Sequence, residues 1–109
     1  LKWLRPAPKQ FKIYWGKQRQ NYEPDFIVET ADNIYMCEVK AYNDIPTSEV
    51  QEKGRAGAEY CCTVSEWNAK NGGKPWEYAI VADRSIQTNS SFRYLIDTRS
   101  PLEILIDEQ

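Results

Sequence analysis

Histidine is absent from this sequence of 109 residues, and only three cysteines are present. Without histidine, the chain cannot form a Ser-His-Asp triad, a histidine-ligated nuclease centre or the zinc site of a deaminase. Cys61 and Cys62 are neighbours in a predicted helix, where adjacent side chains diverge, so neither a disulfide framework nor a CxxC zinc site is expected. We interpret the cysteines as reduced thiols, with Cys61 buried. Magnesium bound by carboxylates is compatible with all these absences.

The sequence also lacks membrane-spanning, secretory and ATP-binding segments. No apolar run is long enough to cross a membrane and nothing resembles a signal peptide, which favours a cytoplasmic protein with no membrane partner. Residues 71–75 lack the first glycine and the hydroxyl residue of a GxxxxGK[ST] loop, so any ATP would bind elsewhere. Because the chain begins at Leu1, we interpret residues 1–109 as one domain of a longer protein.

The net charge of −2 conceals an uneven distribution. Residues 1–22 contain six basic residues and no acidic one, which leaves 8 basic and 16 acidic residues for the rest. This basic, aromatic segment allows two interpretations: an arm that follows a phosphate backbone and stacks on bases, or a linker and edge strand whose aromatics pack on the core. In the first interpretation, four basic residues are the nucleic-acid contacts: Lys9, Lys12, Lys17 and Arg19.

The hydrophobic pattern predicts a mixed α/β fold. Strands at residues 24–28 and 35–40 flank turn residues and should form an antiparallel hairpin. A helix is expected over residues 48–69, with Ser48 and Gln51 as a capping box. A stripe of small residues would let this helix lie close to the sheet: Val50, Gly54, Gly57, Ala58, Cys61 and Ser65.

A clear strand at residues 76–82 follows this helix. Strand, helix and strand then form a βαβ crossover with parallel strands, expected to be right-handed. Three further segments complete the predicted domain: a strand at 11–15, a short helix at 91–97 and an apolar end at 102–106.

The predicted hairpin brings three charged residues to one face of the sheet. With a short turn centred near residues 31 and 32, counting outward places Asp25 opposite Glu38, and opposed residues share a face. Period two adds Lys40 to this face and turns the alternate residues of the second strand away.

Two opposed carboxylates repel each other unless a cation or a shared proton compensates. Mg²⁺ binds one or two carboxylates together with waters and phosphate oxygens, and it lowers the pKa of bound water. Asp25 and Glu38 are therefore candidate metal ligands, and Lys40 is placed to orient a nucleophile or stabilise charge. A solvated strand face, in which Lys40 pairs with one of the carboxylates, explains the same loose spacing without any catalysis.

Pro24-Asp25 followed by Glu38-Val39-Lys40 resembles the PD-(D/E)xK nuclease superfamily. With YEPDFIV at 22–28, EVKA at 38–41 and VQEK at 50–53, the chain looks most like the C-terminal endonuclease domain of type III restriction enzymes. The similarity covers residues 22–83.

The resemblance implies a restriction-endonuclease-like mixed sheet and a catalytic site of Asp25, Glu38 and Lys40. In that superfamily the Asp and Glu bind Mg²⁺, for which Mn²⁺ can substitute, and the Lys assists the attacking water. The carbonyl of Val39 would complete the metal shell. Gln51 and Lys53, on the following helix, are transferred as nucleic-acid contacts. Family members often add an acidic residue from an N-terminal helix, but no acidic residue precedes Glu23, so the number of metal ions stays open.

The leading interpretation is a Mg²⁺-dependent endonuclease domain that hydrolyses phosphodiester bonds of double-stranded DNA. If the type III resemblance holds, the parent chain carries an ATP-driven, helicase-like motor, ATP acts only in that motor, and a methyltransferase subunit recognises the DNA sequence. Two alternatives stay open: a non-cutting nucleic-acid-binding or docking module on the same fold, and an RNA or structure-specific nuclease of the same superfamily.

Overall fold

The computed structural model describes residues 2–7, 10–11, 13–16, 20–86 and 91–99. Strands and helices alternate in a mixed α/β arrangement. In chain order they are β1 (Lys2–Leu4), β2 (Ile13–Trp15), β3 (Gln20–Tyr22), β4 (Phe26–Glu29), β5 (Ile34–Lys40), α1 (Ser48–Asn71), β6 (Trp76–Ala82) and α2 (Phe92–Asp97). Short 3-10 turns follow β5 at Tyr42–Asp44 and β6 at Asp83–Ser85.

The main sheet has four strands in the order β1-β4-β5-β6. β4 and β5 form the predicted antiparallel hairpin, with Phe26 paired to Cys37 and the Thr30 N–H donating to the Asn33 carbonyl at 2.9 Å. This is the register expected from the turn. β5 and β6 are parallel and α1 connects them, while β1 pairs antiparallel with β4. The predicted mixed sheet, hairpin and helical connection are therefore confirmed.

Helix α1 begins at Ser48, as predicted, and ends at Asn71, just beyond the expected end. The predicted capping box is wrong. The N-cap is Thr47, one residue before the predicted Ser48, and it has no side-chain cap; the Gln51 amide donates to the Ile45 carbonyl at 2.8 Å. At the other end, Gly72 has a left-handed φ of 79°, a conformation that favours glycine after a helix.

The sheet separates two clusters of buried residues. On one face, α1 covers a core that contains Met36, Tyr78 and Ile80; on the other, α2 covers Cys37 and Ala79. The predicted stripe of α1 faces the first core: four of its members are buried, Val50, Gly54, Gly57 and Cys61.

The N-terminal strands differ from the prediction. Residues 13–15 are not an edge of the main sheet, because β2 pairs with β3 in a separate two-stranded sheet. The main-sheet edge is β1 instead. Phe11 and Trp15 pack against the core, whereas Trp3 is 66% exposed.

The strand at residues 76–82 and the short helix near residue 91 are confirmed, the latter with Ser91 as its N-cap. Four predicted nucleic-acid contacts and the apolar end at 102–106 lie outside the described residues. These contacts are Lys9, Lys12, Lys17 and Arg19. No helix within the described ranges combines the length and apolar character that crossing a membrane requires.

Candidate functional site

Backbone pairing fixes Asp25 beside the end of β5. Its N–H donates to the Cys37 carbonyl at 3.1 Å, next to the Phe26–Cys37 pair at which the β4–β5 register ends. The Asp25 side chain reinforces this position, because its Oδ2 accepts the N–H of Val39 at 2.9 Å. Asp25 is therefore tied to β5 through both its main chain and its side chain.

Glu38 lies on the face of β5 that α1 covers. Met36, two residues earlier, belongs to the core beneath α1, while Cys37 belongs to the opposite cluster. Alternation along β5 puts Glu38 and Lys40 on the α1 face with Met36. The structure thus joins Glu38 and Lys40 on this face, and the charge of Asp25 acts on the pKa of both.

Glu38 is 5% exposed and is the buried charged residue of the described chain. Both its carboxylate oxygens have partners. Oε1 forms an ion pair with Lys40 Nζ at 3.0 Å, and Oε2 accepts the Tyr22 hydroxyl at 2.8 Å. The Tyr22 hydroxyl is also 2.7 Å from that of Tyr78. The Tyr22 hydroxyl has a single hydrogen and donates it in the hydrogen bond to the ionised Glu38 carboxylate. The hydrogen bond between the two tyrosines is therefore donated by Tyr78 and accepted by Tyr22.

The surroundings of Glu38 are unfavourable to its negative charge. Burial raises the pKa of Glu38, and the nearby charge of Asp25 raises it further, against the lowering effects of the Tyr22 hydrogen bond and of Lys40. Burial alone would lower the pKa of Lys40, but its hydrogen bond to Glu38 and the charges of Glu38 and Asp25 raise it overall. The site therefore holds two carboxylates against one lysine that stays protonated.

Desolvation also raises the pKa of the Tyr22 and Tyr78 hydroxyls. Both are therefore neutral hydrogen-bond donors at physiological pH. They cannot supply the positive charge that the carboxylates lack.

The carboxylate oxygens of Asp25 and Glu38 are ligands of the kind that Mg²⁺ prefers. Among the described residues, no group of three or more His, Cys, Asp or Glu side chains is arranged to hold a metal ion. A pair of carboxylates is nevertheless sufficient when waters and phosphate oxygens complete the shell. Asp25 and Glu38 fit this requirement, since Asp25 is bonded to Val39, the residue after Glu38, and its charge raises the pKa of Glu38.

Gln51 and Lys53, the two predicted contacts on α1, are engaged elsewhere. The Gln51 amide is bonded to the Ile45 carbonyl. Lys53 forms an ion pair with Glu49 at 3.5 Å and its Nζ lies 5.0 Å from the centre of the Trp15 ring. The described contacts of these two residues do not include Asp25 or Glu38.

Tyr22 and Tyr78 are site residues that sequence reasoning missed. Tyr22 lies within the segment that carries the family resemblance, and Tyr78 has the strand parity of the residues facing α1, but neither signal reveals that their hydroxyls meet. Comparisons of the chain with protein-family models, curated proteins and solved structures found no match. Its function is therefore inferred from its own residues and their geometry.

Proposed function

We propose that this chain is a Mg²⁺-dependent endonuclease domain of the PD-(D/E)xK type, acting on DNA through Asp25, Glu38 and Lys40. One observation carries the proposal: Asp25, bonded to the N–H of Val39 at 2.9 Å, lies beside a buried Glu38 whose Oε1 is 3.0 Å from Lys40 Nζ. Two carboxylates and one ammonium leave an excess of negative charge in a poorly solvated place. A divalent cation relieves that excess.

The metal would be held by the carboxylates of Asp25 and Glu38 and by the Val39 carbonyl. The N–H and C=O of one strand residue point to the same side of the strand. Because the Val39 N–H points to Asp25, its carbonyl faces the Asp25 side as well. Bound Mg²⁺ supplies Lewis-acid polarisation of a phosphate and lowers the pKa of a bound water.

Lys40 would act through its positive charge and not as a general base. Its side chain is 28% exposed, so the ammonium reaches the solvent edge of the site while Glu38 lies beneath it. Its raised pKa keeps it protonated at neutral pH. A protonated lysine at this position can orient a water oxygen and stabilise the developing negative charge on a phosphate, but it cannot abstract a proton.

The sequence resemblance supports the finer parts of this proposal. They are a restriction-endonuclease-like arrangement of the mixed sheet, double-stranded DNA as substrate, and a type III parent with an ATP-driven motor and a separate methyltransferase subunit. The basic residues of the N-terminal segment would contact the phosphate backbone without reading sequence. The cytoplasmic location expected from the sequence is part of the same proposal.

A second candidate function is a nucleic-acid-binding or docking module that does not cut. It is favoured by the bonding of Glu38, each of whose oxygens already has one protein partner, Lys40 for Oε1 and Tyr22 for Oε2. In that case the ion pair of Glu38 with Lys40 has only a structural role. The desolvation of such a pair can offset most of the stability that it contributes.

Cleavage by the full-length protein distinguishes the two candidates. Asp25→Asn, Glu38→Gln and Lys40→Ala should each reduce Mg²⁺-dependent cleavage of plasmid DNA by about 100-fold or more. Each double variant should be no less active than the less active of its two single variants, since the three residues act as a unit. Asp32→Asn, which removes an exposed carboxylate from the turn, is the matched control and should cleave normally.

Two outcomes would contradict the nuclease assignment. An Asp25→Asn protein of normal stability that cleaves at the wild-type rate would remove these residues from catalysis. A wild-type protein that binds DNA but shows no metal-dependent cleavage would favour the docking module.

A further inference from the structure

We propose that Tyr22 is a positioning residue for Glu38 and that Tyr78 supports it. The inference rests on the proposed function, because it concerns how one of the metal ligands is held in place. Its basis is a chain of short contacts: Tyr78 hydroxyl to Tyr22 hydroxyl at 2.7 Å, and Tyr22 hydroxyl to Glu38 Oε2 at 2.8 Å. Both tyrosines are 3% exposed.

Tyr22 makes the two oxygens of Glu38 different from each other. Oε2 is held from inside the core by Tyr22, while Oε1 is directed to Lys40. A glutamate side chain has three torsions, and without the inner hydrogen bond only the ion pair with Lys40 would restrain rotation of the carboxylate about the last of them. With this bond, Oε1 keeps its orientation toward the charged edge of the site.

Packing alone does not explain the two hydroxyls. The Tyr22 and Tyr78 rings meet edge to face with centroids 6.3 Å apart, and two phenylalanines would make the same ring contact. Burying hydroxyls and a carboxylate carries a desolvation cost that a purely apolar core avoids. The polar network is therefore a feature that stability does not require, and its single carboxylate belongs to the proposed site.

The network also joins separate elements at Glu38. Tyr22 belongs to β3 of the two-stranded sheet, where it pairs with Ile13 of β2. Tyr78 belongs to β6 and Glu38 to the neighbouring β5. The position of the small β2–β3 sheet thus determines the orientation of a catalytic-site carboxylate in the main sheet.

Hydroxyl deletion in the full-length protein tests this role. Calorimetric titration with Mg²⁺ and steady-state cleavage should be measured for Tyr22→Phe, Tyr78→Phe and the control Tyr35→Phe, well below the melting temperature. Tyr35 lies on the same strand as Glu38 but packs on Phe92 at the opposite face. Tyr22→Phe should weaken Mg²⁺ binding about 10-fold or more, as removal of an outer-shell partner does. Its kcat should fall while the KM for DNA stays unchanged.

Tyr78→Phe should also weaken Mg²⁺ binding measurably, though less than Tyr22→Phe, because Tyr22 can still donate to Glu38 but has lost the hydroxyl that holds it. Tyr35→Phe should resemble the wild type in both measurements. A folded Tyr22→Phe protein with wild-type Mg²⁺ affinity and kcat would overturn the positioning role and leave the proposed function standing. If Tyr22→Phe does not fold, unchanged Mg²⁺ affinity in Tyr78→Phe would overturn it instead. A wild-type protein that neither binds Mg²⁺ nor cleaves would overturn both proposals.

Discussion

Glu38 is the residue at which structural and functional demands conflict. It is buried and hydrogen-bonded to Tyr22 and Lys40, yet Asp25 opposes its charge. A hydrogen bond to a charged group contributes roughly 1.5–3 kcal/mol, whereas a buried charge that loses its partner costs about 3–5 kcal/mol. Lys40 therefore compensates the charge of Glu38, and the charge of Asp25 is left without a cation of its own among the ion pairs of the described residues.

Asp25→Asn tests this excess of charge in the metal-free protein. The change keeps a side-chain oxygen that can accept the Val39 N–H, and it removes the charge that helps to raise the pKa of Glu38. We therefore expect a higher melting temperature in EDTA at neutral pH. The measurement is a thermal melt of both proteins, followed by circular dichroism.

The pH dependence of the two melting temperatures checks independently whether Asp25→Asn stabilises the protein. A raised carboxyl pKa means that the native state loses its Glu38 proton at higher pH than the unfolded state, so the cost of ionisation is absent at acid pH and complete above the native pKa. The advantage of Asp25→Asn should accordingly vanish when both carboxyls are protonated. A lower melting temperature for Asp25→Asn at neutral pH would mean instead that Asp25 acts chiefly as a partner of Lys40.

At the scale of elements, a close approach of α1 to β6 sets the position of Tyr78. A Cβ added to Gly57 would lie 2.6 Å from Tyr78 Cδ1, which is closer than real carbon contacts allow. The glycine therefore makes room for the ring whose hydroxyl reaches Tyr22. This close approach connects the small-residue stripe of α1 with the network at Glu38.

Gly57→Ala should consequently destabilise the protein although it improves helix propensity. Alanine gains about 1 kcal/mol over glycine within a helix, but overpacking a well-filled site costs about 1–3 kcal/mol. We expect a net decrease in stability, measured as a lower urea midpoint. Thr63→Ala, at an exposed position of the same helix, should be neutral or stabilising. A Gly57→Ala protein at least as stable as the wild type would show that Tyr78 has room to move.

The sequence predicts those elements whose signals are local. The turn at residues 30–33 fixes the β4–β5 register, which the structure confirms from Phe26–Cys37 to Glu29–Ile34. The sequence does not predict strands β1 and β3, because a strand of three residues is too short to show a periodic pattern. The pairing of these two strands is decided by tertiary contacts. The capping box fails because the helix takes Thr47, one residue earlier, as its N-cap, so Ser48 is already the first helical residue. Tyr22 and Tyr78 meet only because β3, β6 and α1 converge.

For the whole molecule, the uneven charge distribution predicts how DNA would be bound. The net charge of −2 does not favour DNA, so affinity must come from the basic N-terminal segment if DNA is the substrate. Such a segment releases counterions from the phosphate backbone when it binds, so its affinity depends steeply on salt.

Neutralising Lys9, Lys12, Lys17 and Arg19 to glutamine should lower DNA affinity equally for unrelated sequences. The slope of log K against log salt should become shallower by about 0.9 for each phosphate that the variant no longer neutralises. Fluorescence anisotropy at several salt concentrations measures both quantities. Lys70→Gln, at the opposite end of α1 from the site, should leave the slope unchanged. An unaltered slope in the fourfold variant would place this segment away from DNA.

Binding of Mg²⁺ to the metal-free, full-length protein tests most directly whether Asp25 and Glu38 form a cation site. Calorimetric titration of the wild type and Asp32→Asn should show saturable binding, and millimolar Mg²⁺ should raise their melting temperatures as expected for a ligand of the native state. Asp25→Asn should lose both the binding heat and the stabilisation. The absence of any Mg²⁺ binding by the wild type, or equal binding by wild type and Asp25→Asn, would contradict the proposed site.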